Sequence, residues 1–516
     1  MLKKYNVLNV IFYILVILVP LISAILFCLK EGKMINDVYI PLGGWSDEIT
    51  YYKQIEGILT YGFPRGYFGY NQTRAMYGTL GVWGIFPLIP YIIWGFFFGW
   101  NYLSPIYANI LLCILAILCI CVILRPDKKC MAVFSLFWTI NPLLNRYILS
   151  GVVEAYFISQ GIIVSVCGIY LLSDRFRCRK SEHVTQSKDR TILWFCTVMI
   201  SIMTLARPYF AVLFLIPWWK AMKDKRRKWL ILLPILAIGD IVLFFVNNYF
   251  FCSTYFENIF AFEKMKSGGV GGFFQHIADS LAEIVRQTWY AVRYDGVGVG
   301  WYYLLWAIGL LSMIIVCIRR AYYKKKVPSL FLITLIGNSL ILLSFIEIYD
   351  LGVGARHILA LIVANAVILL METHFSVILI MAAVCMAAIF RIGDADMPPY
   401  RNAEYSEYME QLKNEFAQVV LVSDSISYDN VVTLPTVDYV AENPGQNVGC
   451  YYGVMFALPA GVGISLDFGD IYYQEEGSLK AGYYLIHPKG MIRTRLDAQG
   501  MHCIYETEDF ALYTRW

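Results

Sequence analysis

Two adjacent carboxylates, Asp47 and Glu48, stand after the first apolar run of the chain and are of types that suit catalysis. They follow Gly43-Gly44-Trp45-Ser46 and precede Ile49-Thr50-Tyr51-Tyr52, an expected helix start. Carboxylates are favoured in the first turn of a helix, so capping alone would account for them. The functional reading is a general base at a water–membrane boundary, taking a proton from a hydroxyl or amine nucleophile. Adjacent carboxylates cannot be ranked from sequence; Asp47 is taken as the base and Glu48 as its understudy. Tyr51 and Tyr52, with Arg65, Tyr67 and Tyr70 of the glycine-rich run Tyr61 to Gln72, are candidates for sugar or acceptor contact. The same aromatics also suit an interfacial belt.

Further polar residues interrupt or flank apolar runs. Arg207-Pro208 breaks one run near its middle, and Arg356-His357 opens another after Tyr349 to Gly354. Glu154 sits in a short turn after Arg146 and Ser150. Guanidinium beside the free N–H groups of a helix start or break is suited to phosphate. The bland reading of each is an internal salt bridge with Glu154, Glu347 or Asp350. Asp240, inside an apolar run, has no evident partner. Walker loop, dinucleotide-binding glycine fingerprint and His-Glu-x-x-His are all missing from the sequence, which argues against ATP-driven transport and zinc-protease chemistry.

The elements that must position these residues are membrane helices. Of 516 residues 59% are hydrophobic and 16% charged, far from the balance of a soluble domain. The net charge of +4 is carried in short basic clusters between apolar runs, a topology signal rather than a nucleic-acid footprint. Most of the 13 cysteines lie inside apolar runs, without metal-ligand spacing. Cys450 and Cys503, in the polar tail, either pair or stay free.

Lys3-Lys4 and the run Val7 to Leu29 read as a retained signal-anchor helix with a cytoplasmic N-terminus. Further apolar segments cover 79–98, 103–124, 130–149, 152–173, 191–219, 229–250, 300–318, 328–349, 355–371 and 375–391. Basic links at Arg125–Lys129, Asp174–Arg190, Lys220–Lys228 and Arg319–Lys326 are assigned to the cytoplasm. Parity then requires that 79–98 either does not cross or forms a short pair that returns; its Pro and Gly content favours a broken, partly submerged element. Parity also requires 191–219 to be two short helices meeting at Arg207. The count is about eleven spans by these rules. The expected fold is mainly α: a polytopic transmembrane bundle over residues 1–391, with a first external loop at 31–102 and an external loop at 251–299. In the latter, Lys266 to Gly272 reads as a hinge, and the stretch after it as an amphipathic helix lying on the membrane, fit to gate a lipid substrate or merely to seal the bundle. Residues 392–516 are expected to form a small extracytoplasmic α/β domain. Its helix is read at Tyr405–Phe416 and its strands at 418–423, 430–433, 483–486 and 510–514.

Taken together, this pattern resembles the GT-C superfamily of integral membrane glycosyltransferases, most of all bacterial enzymes using polyprenyl-phosphate-linked sugars. The resemblance rests on Ser46-Asp47-Glu48 after the first helix, the Ala206-Arg207-Pro208 break, Gly354-Ala355-Arg356-His357 at a late helix start, and the polar C-terminal domain. It implies a multi-pass plasma-membrane enzyme that moves a sugar from a polyprenyl-phosphate carrier to an envelope glycan, lipid or protein outside the membrane, usually with inversion. It further implies Asp47 as general base, Arg207, Arg356 and His357 as the group neutralising the lipid phosphate, and Glu154 as one more candidate for acceptor or sugar contact. Some members use a divalent metal; without a dense acidic cluster, no essential metal or cofactor is expected here. One departure is the turn Val82-Trp83-Gly84-Ile85-Phe86-Pro87, where a histidine-containing turn would be expected. The alternatives are a transporter or flippase of a lipid-linked sugar, which would need deep charges and related halves, a polysaccharide polymerase or ligase, and a structural anchor for the tail.

Overall fold

The computed structural model describes residues 7–30, 32–38, 46–65, 68–70, 72, 80–81, 83–173, 182–252, 269–293, 300–348, 355–373, 376–389, 403–422, 428–435, 453–467, 479–508 and 510–516. Readings that fall on Gly43-Gly44-Trp45, Tyr67, Lys266 to Gly268, Tyr349 to Gly354 and Cys450 lie outside these residues.

The first apolar run is two helices, α1 (Val7–Ile17) and α2 (Val19–Leu29), bent by 62°, rather than one straight anchor. Pro20, in the first turn of α2, has no N–H to continue the α1 ladder. After the loop come α3 (Ser46–Tyr61), β1 (Phe68–Tyr70) and α4 (Ile89–Phe98). Among the described residues of the 79–98 run only this last stretch is α-helical; the first half is turns, as its Pro and Gly content demands. The bundle continues with α5 (Ser104–Cys119) and a π-helical turn (Ile120–Leu124), then α6 (Lys128–Thr139), α7 (Pro142–Ile148), α8 (Glu154–Leu172) and α9 (Glu182–Ala206). A 3-10 segment (Pro208–Phe214) leads to α10 (Leu215–Lys223) and α11 (Arg227–Phe251). Next are α12 (Gly269–Arg293), α13 (Gly300–Tyr322), α14 (Ser329–Ile348), a 3-10 turn (Ala355–Ile358), α15 (Leu359–Glu372) and α16 (Ser376–Ile389).

Six helices among the described residues are long and apolar enough to cross a membrane, seven with the bent pair. The other apolar segments form helices of 7 to 14 residues. At the centre is α8, 94% buried over its apolar window. It packs along α15 at a small-residue contact, where a side chain on Gly161 would meet the Ala360 carbonyl at 2.9 Å.

The 191–219 run behaves as parity requires but with unequal halves. α9 is a full-length helix ending at Ala206, and the return is a 3-10 segment followed by a nine-residue helix. Lys220 pairs with Asp189 at 3.0 Å, so the chain has come back to the level at which α9 entered. A 3-10 segment rises about 2.0 Å per residue against about 1.5 Å in an α-helix, which lets so short a return cover the depth. Lys129, Arg319, Arg320 and Lys325 gather at the end where α15 finishes, opposite Arg207 and Arg356. One end of the bundle is therefore basic, the distribution that the positive-inside rule expects of a cytoplasmic face.

Beyond the bundle lie α17 (Ala403–Val419), β2 (Val431–Pro435), β3 (Gly463–Asp467), β4 (Tyr483–Ile486), α18 (Met491–Ala498), β5 (His502–Glu506) and β6 (Ala511–Thr514). The strand expected at 418–423 is not one: α17 runs to Val419, and the Val420 N–H still bonds back to the Phe416 carbonyl. The sheet order is β1-β3-β2-β4-β6-β5, so its first strand comes from the 31–102 loop. β1 pairs parallel with β3, Phe68 opposite Ile464. Buried Gln72 locks this edge: its backbone and side-chain N–H groups donate to Ser465 and Asp467, and its carbonyl oxygen accepts from Tyr484 and the Ala481 N–H.

Helix α3 joins the sheet domain to the bundle. Buried Lys53 donates to the Phe456 and Leu458 carbonyls at 3.3 and 2.6 Å and pairs with Glu56 at 2.7 Å. Burial pulls its ammonium below the usual lysine range, while Glu56 opposes the shift. Tyr61 donates to the Ala460 carbonyl, and Tyr52 lies edge-on to Phe456.

Gly161→Leu should push α8 from α15, at an overpacking cost of about 1–3 kcal/mol. Thermal unfolding of the detergent-solubilised protein checks this; an unchanged midpoint would mean that the two helices do not depend on that contact.

Candidate active site

The first turn of α3 sends its two carboxylates different ways. Asp47 keeps 39% of its side-chain surface exposed and forms an ion pair with Arg356. Glu48 is fully buried and accepts the Gly151 N–H at 2.5 Å, tying α3 to the turn before α8. That turn is rigid for a local reason. The Asn109 amide donates to the Tyr147, Ile148 and Ser150 carbonyls, and its oxygen accepts from Tyr91 at 2.6 Å.

Glu154, the first residue of α8, is placed where the helix dipole favours a carboxylate. It is 2% exposed, and its Oε1 lies 2.9 Å from Arg207 Nη2 and 3.4 Å from Arg356 Nε. Arg207 holds an extended backbone (φ −147°) between α9 and Pro208, so its side chain leaves the broken helix end towards Glu154. Its guanidinium stacks 3.7 Å from the centroid of the Phe157 ring and 5.2 Å from that of Trp83. Four residues thus alternate in charge, Asp47–Arg356–Glu154–Arg207, from an accessible end to a buried one. Glu154 Oε2 and Arg207 Nε are buried without a hydrogen-bond partner among the described residues. Unfilled polar atoms beside two arginines leave capacity for a further polar group, and an anion with several acceptor oxygens fits the guanidinium side.

His357, in the turn before α15, pairs through Nδ1 with the Tyr209 hydroxyl at 2.9 Å. Its ring is surrounded by Trp83, Phe345 and Tyr209. Tyr51 is buried beside the charge chain. Burial lifts its phenol well above the usual tyrosine range; Asp47 and Glu154 add to the shift and Arg356 and Arg207 oppose it. It therefore stays a neutral hydroxyl.

The candidates from the sequence divide into two groups. Asp47, Glu48, Tyr51, Glu154, Arg207, Arg356 and His357 come together at one end of the bundle. Tyr52 and Arg65 do not join them. Tyr52 packs between Trp100 and Phe456, and Arg65 covers the Tyr61 ring near Gly461, both at the seam with the sheet domain. Tyr70 belongs to β1, which makes it part of the sheet edge. The residue that sequence reasoning passed over is Trp83. Its turn lacks the expected histidine and instead sets an indole against both Arg207 and His357. The signal available was the departure itself, a bulky aromatic between two glycines.

α12 lies along α13 and α14, with His276 Nε2 3.1 Å from the Ile346 carbonyl. Gly269 to Gly272 of the expected hinge form its first turn. Phe274, Leu281, Val285 and Trp289 make an exposed apolar stripe on it, the amphipathic helix foreseen from the sequence. Asp240 faces Ser201 of α9 and hydrogen-bonds to it. Among the described residues no cluster of three or more His, Cys, Asp or Glu has the spacing of a metal site.

No protein-family model and no curated protein sequence matches the chain. Solved structures do match. The apo oligosaccharyltransferase of Archaeoglobus fulgidus aligns with a TM-score of 0.50 at 12% identity, over 94% of this chain and 70% of that one. ArnT from Cupriavidus metallidurans, solved with undecaprenyl phosphate, aligns with a TM-score of 0.50 at 10% identity over 97% of both chains. At such identity the likeness is one of fold. The chain shares its fold with these two proteins: a multi-pass helical bundle carrying a small C-terminal sheet domain.

Glu154→Gln should strand two buried guanidiniums, and breaking such a pair costs about 3–5 kcal/mol. Combining it with Arg207→Leu should cost less than the two changes summed. A double-mutant cycle in thermal unfolding reads this; strict additivity would mean that the pair does not interact.

Proposed function

We propose that this chain transfers a sugar from a polyprenyl-phosphate carrier to an acceptor on the outer face of the membrane. The observation that carries the reading is the charge chain, with its one accessible carboxylate paired to an arginine that also touches buried Glu154. The fold supports it, since one fold relative is described as an oligosaccharyltransferase and another as bound to undecaprenyl phosphate.

In this reading the donor phosphate engages Arg356 and Arg207, drawing Arg356 away from Asp47. The freed Asp47 carboxylate takes the proton of an acceptor hydroxyl or amine as that atom attacks the anomeric carbon. The bond from the anomeric carbon to the phosphate oxygen breaks with inversion, and the electron pair leaves with the carrier phosphate. Arg207 and Arg356 stabilise the charge that develops there, in a site where water is largely excluded. His357 with Tyr209 and the Tyr51 hydroxyl supply hydrogen bonds to sugar or phosphate, and Trp83 offers the sugar an apolar face. Glu48 positions α3 rather than reacting, and Glu154 holds the two arginines apart. Because the arginines supply the positive charge that leaving phosphate needs, the reading has no required metal, and transfer should survive chelation with EDTA. The proposed acceptor is an envelope glycan, lipid or protein, and the proposed orientation sets the charge chain and the sheet domain outside the cytoplasm.

Asp47→Asn should lower transfer from a polyprenyl-phosphate sugar by about 10²–10⁴-fold, the usual weight of a general base. It should leave binding of undecaprenyl phosphate intact, while Arg207→Ala and Arg356→Ala should weaken that binding. Reconstituted protein with radiolabelled donor and a separate lipid-binding measurement checks both. Full transfer activity in Asp47→Asn would sink the assignment of the base. Unchanged lipid binding in both arginine variants would sink the phosphate site.

A further inference from the structure

The second charged feature of the molecule lies at the far end of the bundle, where the proposed sugar transfer has no use for it. Here α6, α13 and α15 surround a cavity of about 850 Å³. Four cations line it, Lys129, Arg319, Arg320 and Lys325, against two carboxylates, Asp127 and Glu372. The surplus is two positive charges. Lys129, Arg319 and Lys325 form no side-chain ion pair among the described residues, and Arg320 donates only to the Lys326 carbonyl. A topology signal needs cations in a link; it does not need cations from separate chain segments converging on one concavity. Asp127 and Glu372 offset half of their charge, and a further anion in the cavity would lower the repulsion of the rest.

The walls indicate what kind of anion. Besides its charged groups the cavity is lined by apolar Val316 and Cys130. The cavity lies at the last turn of α13, a helix long and apolar enough to cross a membrane that ends at Tyr322. The end of a spanning helix is the level at which phospholipid headgroups sit. A phosphate ester in the cavity would meet its cations at that level, as in basic pockets between helices that hold anionic headgroups.

We infer that this cavity is a binding site for the headgroup of an anionic phospholipid of the leaflet opposite the proposed active site. The shared chemistry is a phosphate ester held by guanidinium and ammonium groups. Its place at the end of a spanning helix favours the lipid-borne form over a free ion.

Native mass spectrometry of the detergent-solubilised full chain, with phosphatidylglycerol, phosphatidylcholine or inorganic phosphate added separately, tests this. Wild type should retain phosphatidylglycerol in preference to phosphatidylcholine. Removing cations should weaken retention about fivefold for each charge lost near the headgroup. The variant Arg319→Gln/Arg320→Gln/Lys325→Gln should therefore lose the preference, while Lys324, Lys326, Lys128 and Arg125 remain to keep the topology. Should that triple variant not fold, Lys129→Gln and Lys325→Gln singly serve the same comparison. Equal retention of the two lipids, or an undiminished preference in the variants, overturns the site. Displacement of phosphatidylglycerol by millimolar inorganic phosphate overturns the lipid and leaves a free anion.

Discussion

The arrangement depends on one buried carboxylate. Glu154 is 2% exposed and lies between two arginines that are themselves almost wholly buried. Guanidinium does not deprotonate in proteins, so neither arginine can escape its burial by losing charge. Without Glu154 two fixed cations would face each other in a low-dielectric site. With it, three chain segments far apart in sequence, the α8 start, the α9 break and the turn before α15, are held at one point. Such a carboxylate is useful only if its backbone is fixed beforehand, and the Asn109-stapled turn before α8 fixes it.

Helix α3 transmits that geometry outward. One part of it carries Asp47 into the charge chain, sets Tyr51 beside it and ties Glu48 to the Gly151 N–H. The other carries Tyr52, Lys53 and Tyr61 into the sheet domain. Lys53 is buried with two backbone carbonyls and Glu56 as partners, which makes the seam specific rather than merely apolar. β1 adds a second tie, because the loop that follows α3 supplies an edge strand of the sheet. The sheet domain and the accessible carboxylate are thus attached to a single rigid rod. An acceptor that binds at the sheet would, in the proposed reaction, be registered directly against Asp47.

Much of this was legible in the chain, and the boundary of legibility has physical causes. A proline after an arginine inside an apolar run is hard to reconcile with a straight span, so the break at Arg207 followed from chemistry. Basic links gave parity, and the Lys220–Asp189 pair agrees with it. The roles of Asp47 and Glu48 were not separable, because adjacent residues in a helix point about 100° apart and only packing decides which side is covered. β1 was hidden for a similar reason: three residues in a glycine-rich loop carry no alternation, and their partner β3 lies far along the chain, Phe68 pairing with Ile464. The 418–423 stretch misled through its valines. β-branched residues favour strands only where a pleated neighbour exists, and here the last turn of α17 buries Val420 instead.

Charge balance links the alternating chain to the reaction proposed for it. Asp47, Glu154, Arg207 and Arg356 sum to zero, and a donor phosphodiester adds one negative charge. When the sugar leaves, the carrier phosphate gains a second negative charge. At the same moment the base takes up the acceptor proton and loses its own. The total in the site is therefore constant through the step, and the negative charge moves from Asp47 to the phosphate across Arg356, which contacts the first and would contact the second. A site so buried cannot rely on water to absorb a change in net charge. Arginines cannot take up the proton, and Glu154 is committed to both of them. That leaves Asp47, the accessible one of the two carboxylates in the alternating set, as the group through which the charge can pass.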